Sequence, residues 1–146
     1  MLIRPATGED VEALSELIVR TVRISNTPDY EAAAIEELLG YCTPQAVGER
    51  MQGRDVFVAV ETGRIVGTVS YGDGRLRQMY VAPGRQKAGV GRRLVEHLEA
   101  HARALGLDEL KLASSFTARG FYERMGYRTI RYQPQGVPTW PMGNRI

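Results

Sequence analysis

Apolar positions recur at helical spacing in the first third of the chain and at strand spacing through its middle. Val11, Leu14, Leu17, Ile18 and Val22 fall at i, i+3 and i+4 intervals, which predicts one apolar helix face. Thr7 stands three residues before Asp10, and Glu9, Asp10 and Glu12 are acids of the kind that suit a helix N-terminus. The pattern fades at Ser25-Asn26-Thr27-Pro28, and a second helical stretch is expected from about Asp29 to Leu39, ending at Gly40. Thr43-Pro44 supplies a cap and a first-turn proline for a third helix that stops near Gly53. Ahead of all three, Leu2-Ile3-Arg4-Pro5-Ala6 reads as a short strand, whose proline places it at an edge or a strand end.

The rhythm then changes. Asp55-Val56-Phe57-Val58-Ala59-Val60-Glu61 is a compact apolar run, and Thr62-Gly63 separates it from Arg64 to Tyr71, which predicts a hairpin. Gly72-Asp73-Gly74 turns the chain again into Arg75-Leu76-Arg77-Gln78-Met79-Tyr80-Val81. Leu94, Val95, Leu98, Ala102 and Leu105 return to helical spacing, with Gly106 as the stop. Leu110 to Ser114 makes a further strand, and a strand–helix–strand unit in one sheet sets it parallel to the strand ending at Val81. Ala118, Phe121, Tyr122 and Met125 share a face of a short helix stopped by Gly126, and Tyr127 to Tyr132 alternates like a strand. The tail from Gln133 to Ile146 has no clear period, with Trp140 a candidate for a final edge strand.

Between Val81 and Leu94 lies the stretch Ala82-Pro83-Gly84-Arg85-Gln86-Lys87-Ala88-Gly89-Val90-Gly91-Arg92-Arg93, a basic loop with glycines. A strand that leads through such a loop into a helix presents unpaired N–H groups and the positive end of the helix dipole. Arg85, Lys87, Arg92 and Arg93 add full charges, so the stretch is a candidate site for a phosphate or pyrophosphate. It is not a P-loop, because Arg92-Arg93 follows Gly91 where Lys-Ser or Lys-Thr is needed. Nor is it a dinucleotide fingerprint, because Leu94 occupies the third glycine position. A bland alternative is a helix-leading loop with solvated arginines.

Composition narrows the classes. The chain has 146 residues, 43% hydrophobic and 25% charged, which predicts one globular domain over residues 1–146. No apolar run approaches the roughly 20 residues of a membrane span, and Met1-Leu2-Ile3-Arg4-Pro5 lacks a signal-peptide layout, so cytoplasm and no membrane partner are expected. A net charge of +2 is too small for a nucleic-acid scaffold, and none is expected as partner. Cys42 is the only cysteine, which leaves no disulfide and no cysteine cluster for zinc. His97 and His101 stand four apart on the long helix, where they are expected to be exposed, with no metal bound.

Gln86 to Gly91 spells Q-x-x-G-x-G after Tyr80-Val81-Ala82-Pro83, and Ala118, Phe121-Tyr122 and Gly126-Tyr127 follow at a distance. Together these motifs resemble the GCN5-related N-acetyltransferases, the GNAT superfamily, over nearly the whole chain. The resemblance implies an α/β fold of the mixed α+β kind. Its central, mostly antiparallel sheet would have six to seven strands flanked by helices, with a parallel splayed strand pair at the cofactor site. It implies acetyl-CoA as cosubstrate, with pantetheine pairing to the backbone of Met79, Tyr80 and Val81. Gln86, Lys87, Ala88, Gly89, Val90, Gly91 and Arg92 would hold the pyrophosphate, and Ser114, Ser115 and Phe121 would complete the cofactor contacts. A backbone N–H near Val81 would stabilise the oxyanion formed during acyl transfer.

The same resemblance makes Tyr122 the general acid that protonates the leaving thiolate, since an unperturbed phenol with pKa near 10 is protonated at neutral pH. Packing beside Phe121 alone is the other reading of Tyr122. The base stays unassigned: Arg75 to Ala82 carries no acid, and Glu61, Glu31, Glu36 and Glu37 are the acids elsewhere, with a water chain as the alternative. Acceptor choice is implied for Ile24 to Tyr30 and Gly136 to Met142, where Tyr30, Tyr41 and Trp140 could wall a pocket. The function expected is acetyl transfer by direct attack of a primary amine of a small molecule or peptide. A non-catalytic acyl-CoA sensor and transfer to oxygen or of a longer acyl chain are the rivals. Homodimers are frequent in the family, and the sequence leaves that open.

Overall fold

A computed structural model describes residues 1–130 and 140–146. The first strand, β1 (Leu2–Pro5), pairs antiparallel with β2 (Asp55–Glu61) and forms one edge of the sheet, where its proline is tolerated. β2, β3 (Arg64–Gly72) and β4 (Arg75–Val81) are consecutive antiparallel neighbours. Their turns are tight because both central residues are left-handed: Thr62 and Gly63 at φ 47° and 77°, then Asp73 and Gly74 at 52° and 76°. Such turns match the twist of the flanking strands.

Helices cover both faces. On one side lie α1 (Val11–Thr21), α2 (Ala32–Gly40) and α3 (Pro44–Met51), with Thr43 Oγ1 capping α3 by accepting from Ala46 N–H at 3.2 Å. Leu14, Ile18, Val22, Ile35 and Val47 pack there around Val58, with Val56 and Val60 beside it. On the other side Val90, Leu94, Val95, Leu98 and Ala102 of α4 (Val90–Ala104) pack on Phe57, Ala59, Val69 and Leu112. β2 therefore buries side chains on both faces, which explains why its sequence is a continuous apolar run.

β5 (Glu109–Ser114) follows α4 and pairs parallel with β4. After α5 (Arg119–Arg124) come β6 (Arg128–Thr129) and β7 (Trp140–Arg145), completing the order β1-β2-β3-β4-β5-β7-β6. The mixed, mostly antiparallel seven-stranded sheet is the one expected. Four local expectations change. Trp140 does open a strand, but β7 lies inside the sheet and β6 is its edge. Within the stretch expected to run from Tyr127 to Tyr132, strand covers only Arg128–Thr129, and positions 131 and 132 lie outside the described residues. The second helix starts at Ala32, because a π-helical turn (Val22–Asn26) and a 3-10 turn (Thr27–Asp29) extend α1 first. His97 and His101 are half-buried rather than exposed: their rings sit 4.6 and 5.1 Å from Phe57, edge-on, and His101 Nε2 is 2.9 Å from Asp55.

Candidate active site

The parallel pair comes apart almost at once. β4 and β5 pair only at Arg75 with Lys111 and Leu76 with Leu112, after which β4 continues to Val81 and β5 to Ser114 without pairing to each other. The cause lies on the β3 side. Ser70 faces Gln78 while Tyr71 faces Leu76, so Arg77 is an extra residue in β4. A bulge bends its strand and increases its twist, and this one sits where β4 leaves β5.

The backbone that lines the resulting gap follows from register. Ala82 N–H donates to the Val66 carbonyl at 2.8 Å, and Gly67 and Thr68 stand opposite Val81 and Tyr80. Antiparallel alternation then turns the N–H and C=O of Tyr80 toward β3, and those of Met79 and Val81 toward the gap. Of these, the Val81 carbonyl accepts from Gln86 Nε2 at 3.2 Å. The gap is thus an open sheet edge inside the molecule, framed for an extended chain with its own hydrogen-bonding groups.

At the mouth of the gap stands the basic loop. Pro83–Arg85 forms a 3-10 turn, Gln86 to Gly89 are exposed, and α4 begins at Val90. Lys87 and Gly89 are left-handed, at φ 66° and 86°. Left-handed residues in a turn gather successive N–H groups into an anion cradle. The N–H of Arg93 donates to Gly89 carbonyl at 3.1 Å, which leaves the amides before it at the free end of a 15-residue helix. The two glycines have different work. Gly89 supplies the backbone angle in open space, whereas a Cβ on Gly91 would stand 3.2 Å from Phe121 Cζ and 3.5 Å from Val81 Cγ2. Gly91 is therefore a packing glycine that seats α4 against β4 and α5.

The side-chain charges divide too. Arg85 is paired with Glu61 at 2.7 Å, and Arg92 reaches Glu96 at 3.7 Å. Among the described residues no ion pair engages Lys87 or Arg93. Gln86 Nε2 also donates to Ser25 Oγ at 2.9 Å, so its side chain ties the loop to the π-helical turn. The Ser114 hydroxyl donates to Ser115 carbonyl at 2.7 Å, and Ser115 Oγ accepts from Ala118 N–H at 3.1 Å, so both hydroxyls hold the approach to α5.

Tyr122 is buried, with Phe121 and Tyr127 edge-on at 5.2 and 5.9 Å. Burial, and secondarily the nearby Tyr80, pushes its phenol well above the ordinary tyrosine range. The same cause raises Tyr80. Among the described residues no hydrogen bond occupies the Tyr122 hydroxyl, so it is a protonated donor over the whole neutral range. Glu61 is held by Arg85, and Glu31, Glu36 and Glu37 are exposed.

The turn between α1 and α2 closes over the far side of the gap through contacts that no periodicity signals. Tyr30 stacks on Phe116 with ring centres 5.7 Å apart, and its hydroxyl accepts from Phe116 N–H at 2.7 Å. Thr117 Oγ1 donates to Asp29 at 2.7 Å and accepts from Asn26 Nδ2 at 3.4 Å. Trp140 meets Phe116 edge-on at 6.2 Å and carries Arg119 over its ring at 4.1 Å. Tyr30 and Trp140 thus share a wall with Phe116. Tyr41, 56% exposed, takes no part in it, and Gly136 to Thr139 lie outside the described residues.

Residues 26–144 match the family model described as the acetyltransferase (GNAT) domain. The chain belongs to the GNAT acetyltransferase family. Blasticidin-S acetyltransferase of Streptomyces morookaense is 31% identical over 126 residues, covering 82% of this chain and 78% of that protein. A Bacillus subtilis (strain 168) protein with an acetyltransferase name is 32% identical over 87 residues, 58% of this chain and little more than half (56%) of the relative. Among solved structures, a GCN5-related N-acetyltransferase from Rhodopseudomonas palustris superposes with TM-score 0.93 at 22% identity, covering 99% of this chain and 95% of that one. The PaiA N-acetyltransferase of Thermoplasma acidophilum, solved with coenzyme A, gives 0.83 at 18% identity over 99% and 98%. At those identities the likeness is one of GNAT fold. Among the described residues no helix is long and apolar enough to cross a membrane, and no cluster of three or more His, Cys, Asp or Glu could hold a metal ion.

Proposed function

We propose that this GNAT protein moves an acetyl group from acetyl-CoA to a primary amine of a small molecule or peptide by direct attack. One observation carries the proposal: an unpaired β4 edge leads straight to an anion cradle at the start of α4. Coenzyme A has the matching parts in the matching order, an amide-bearing pantetheine arm and a pyrophosphate. In this reading the backbone of Met79 and Val81 pairs with the arm, and the amides from Lys87 to Arg92 hold the pyrophosphate, helped by Lys87 and Arg93. Gly91 and Phe121 keep the cradle seated on the strand. Gln86 acts through its side-chain ties to Ser25 and Val81, and Ser114 and Ser115 by shaping the turn into α5.

Tyr122 holds the proton that the thiolate leaving group takes, since a phenol at or above the ordinary tyrosine range is protonated at neutral pH. The amine loses its proton to water, since the acids nearby are paired or exposed. The acceptor enters on the side of Tyr30 and Phe116. An acceptor screen with acetyl-CoA tests this, following free thiol and acetylated product together. Turnover with at least one amine is expected, and coenzyme A binding without turnover on any amine, peptide or aminoglycoside contradicts it.

A further inference from the structure

Away from the gap, a second group of cations lies under α3. Arg50 of α3 has a side-chain nitrogen, Nη2, that is fully buried and has no hydrogen-bond partner among the described residues. The Ser70 hydroxyl is in the same state, on a residue 5% exposed. Both residues line one pocket of about 20 Å³ between α1, α3 and the sheet, with Arg54 and Gln78 also in its wall. Ser70 and Gln78 are directly opposite on β3 and β4, so their side chains share the face that α3 covers. The polar groups in that wall are two guanidinium groups, the Thr68 and Ser70 hydroxyls and the Gln78 amide, and the Thr68 hydroxyl is already engaged, donating to the Phe57 carbonyl at 2.9 Å.

Their charge is uncompensated. Among the described residues neither Arg50 nor Arg54 has a carboxylate within ion-pair distance, and the nearby Asp73 is paired with Arg77 at 3.0 Å. Burial lowers the Arg54 pKa, and Arg77 and Arg50 repel in the same direction, with only Asp73 opposing. Both arginines are half-buried, but Arg50 Nη2 and the Ser70 hydroxyl are fully buried, and a buried donor without an acceptor is rare in folded proteins. A pocket of this volume admits one small species, on the order of a single water. Charge then selects an anion over water.

We propose that Arg50, Arg54, Ser70 and Gln78 form a binding site for one small inorganic anion of halide size, separate from the acetyl-CoA gap. The anion bridges α3 to β3 and β4 and neutralises the guanidinium pair. Leu14, Ile18 and Val47 form the apolar part of the pocket wall.

Chloride tests it directly on the full chain, against gluconate at equal ionic strength. Chloride is expected to raise the thermal midpoint by about 3 °C over gluconate, and the protein is expected to broaden the chloride NMR line. Ser70→Ala, a small change that keeps the fold, should remove most of both effects, and Arg50→Gln should abolish them. If Arg50→Gln does not fold, Ser70→Ala decides alone. Equal midpoints in the two salts without excess broadening overturn the proposal in favour of a water. So does a chloride effect that Ser70→Ala leaves unchanged, which would put the halide elsewhere.

Discussion

Tyr122 and Gly91 sit a few ångströms from the same ring, Phe121, and fail in different ways when changed. Tyr122→Phe removes one hydroxyl from a buried site and leaves its packing intact. Loss of a general acid costs about 10²- to 10⁴-fold in rate, so kcat should fall by at least about 10²-fold with little change in acetyl-CoA affinity. Because burial raises the phenol pKa, kcat should also show no alkaline loss from this group near pH 10, where a free tyrosine ionises, roughly; a pH profile of kcat checks it. Gly91→Ala instead forces a methyl against Phe121 and Val81. Overpacking of this kind costs about 1–3 kcal/mol, read by denaturant unfolding, and acetyl-CoA binding should weaken with it. Gly89→Ala has room for the methyl but not the φ of 86°, so its cost of about 1 kcal/mol comes from the backbone.

At the scale of elements, the strand, loop and helix from Met79 to Leu105 were legible from the sequence, because each has a local cause: an apolar run, glycines among basic residues, a helical stripe. The hairpins were legible for the same reason. The splay was expected from the family resemblance, but where it begins was not legible, since that depends on which residue of β4 bulges, and Arg77 carries no local mark of that role. Nor was the tie across the gap, because Asp29 and Thr117, 88 positions apart, meet only in the folded chain. The histidines misled for a related reason: at i, i+4 they look like one polar stripe, yet Phe57 of β2 draws both rings inward. Among the proposed site residues, the sequence pointed to Met79 and Val81, whose backbone groups face the gap, whereas the engagement of Gln86, Ser114 and Ser115 with their neighbours was not legible. If the tie positions the acceptor, Asp29→Ala and Thr117→Ala should each raise the acceptor KM and leave the acetyl-CoA KM unchanged. A double-mutant cycle should give a coupling of about 1 kcal/mol, typical of a hydrogen bond to a charged group that is partly solvated.

At the scale of the whole molecule, three tyrosines link stability to pH. Tyr80, Tyr122 and Tyr127 are all pushed above the ordinary phenol range, chiefly by burial, and Tyr127 also by Glu99, to which its hydroxyl donates at 2.9 Å. Each keeps its proton in the folded chain at a pH where the unfolded chain releases it. Their contribution is therefore complete below the unfolded pKa and is lost as pH rises through the folded values. The thermal midpoint should vary little on their account between about pH 7 and 9 and drop above about pH 10. Tyr127→Phe should soften that alkaline drop, which thermal melts at stepped pH can read. On the acid side the sign reverses for Asp10, whose carboxylate is held low by Arg4 at 2.8 and 3.0 Å and accepts from Thr7 N–H. That stability is present above the unfolded aspartate pKa and lost as pH falls through the folded value.

The unpaired edge of β4 and the cradle at α4 make one site for one donor, and single-turnover thiol release tests that claim most directly. Enzyme loaded with acetyl-CoA should release free thiol in step with acetylated amine once an accepted amine is added. Tyr122→Phe, loaded to the same extent, should release it at least about 10²-fold more slowly. Equal release rates from the two proteins, or no release from a loaded wild-type chain with any amine, would contradict the account.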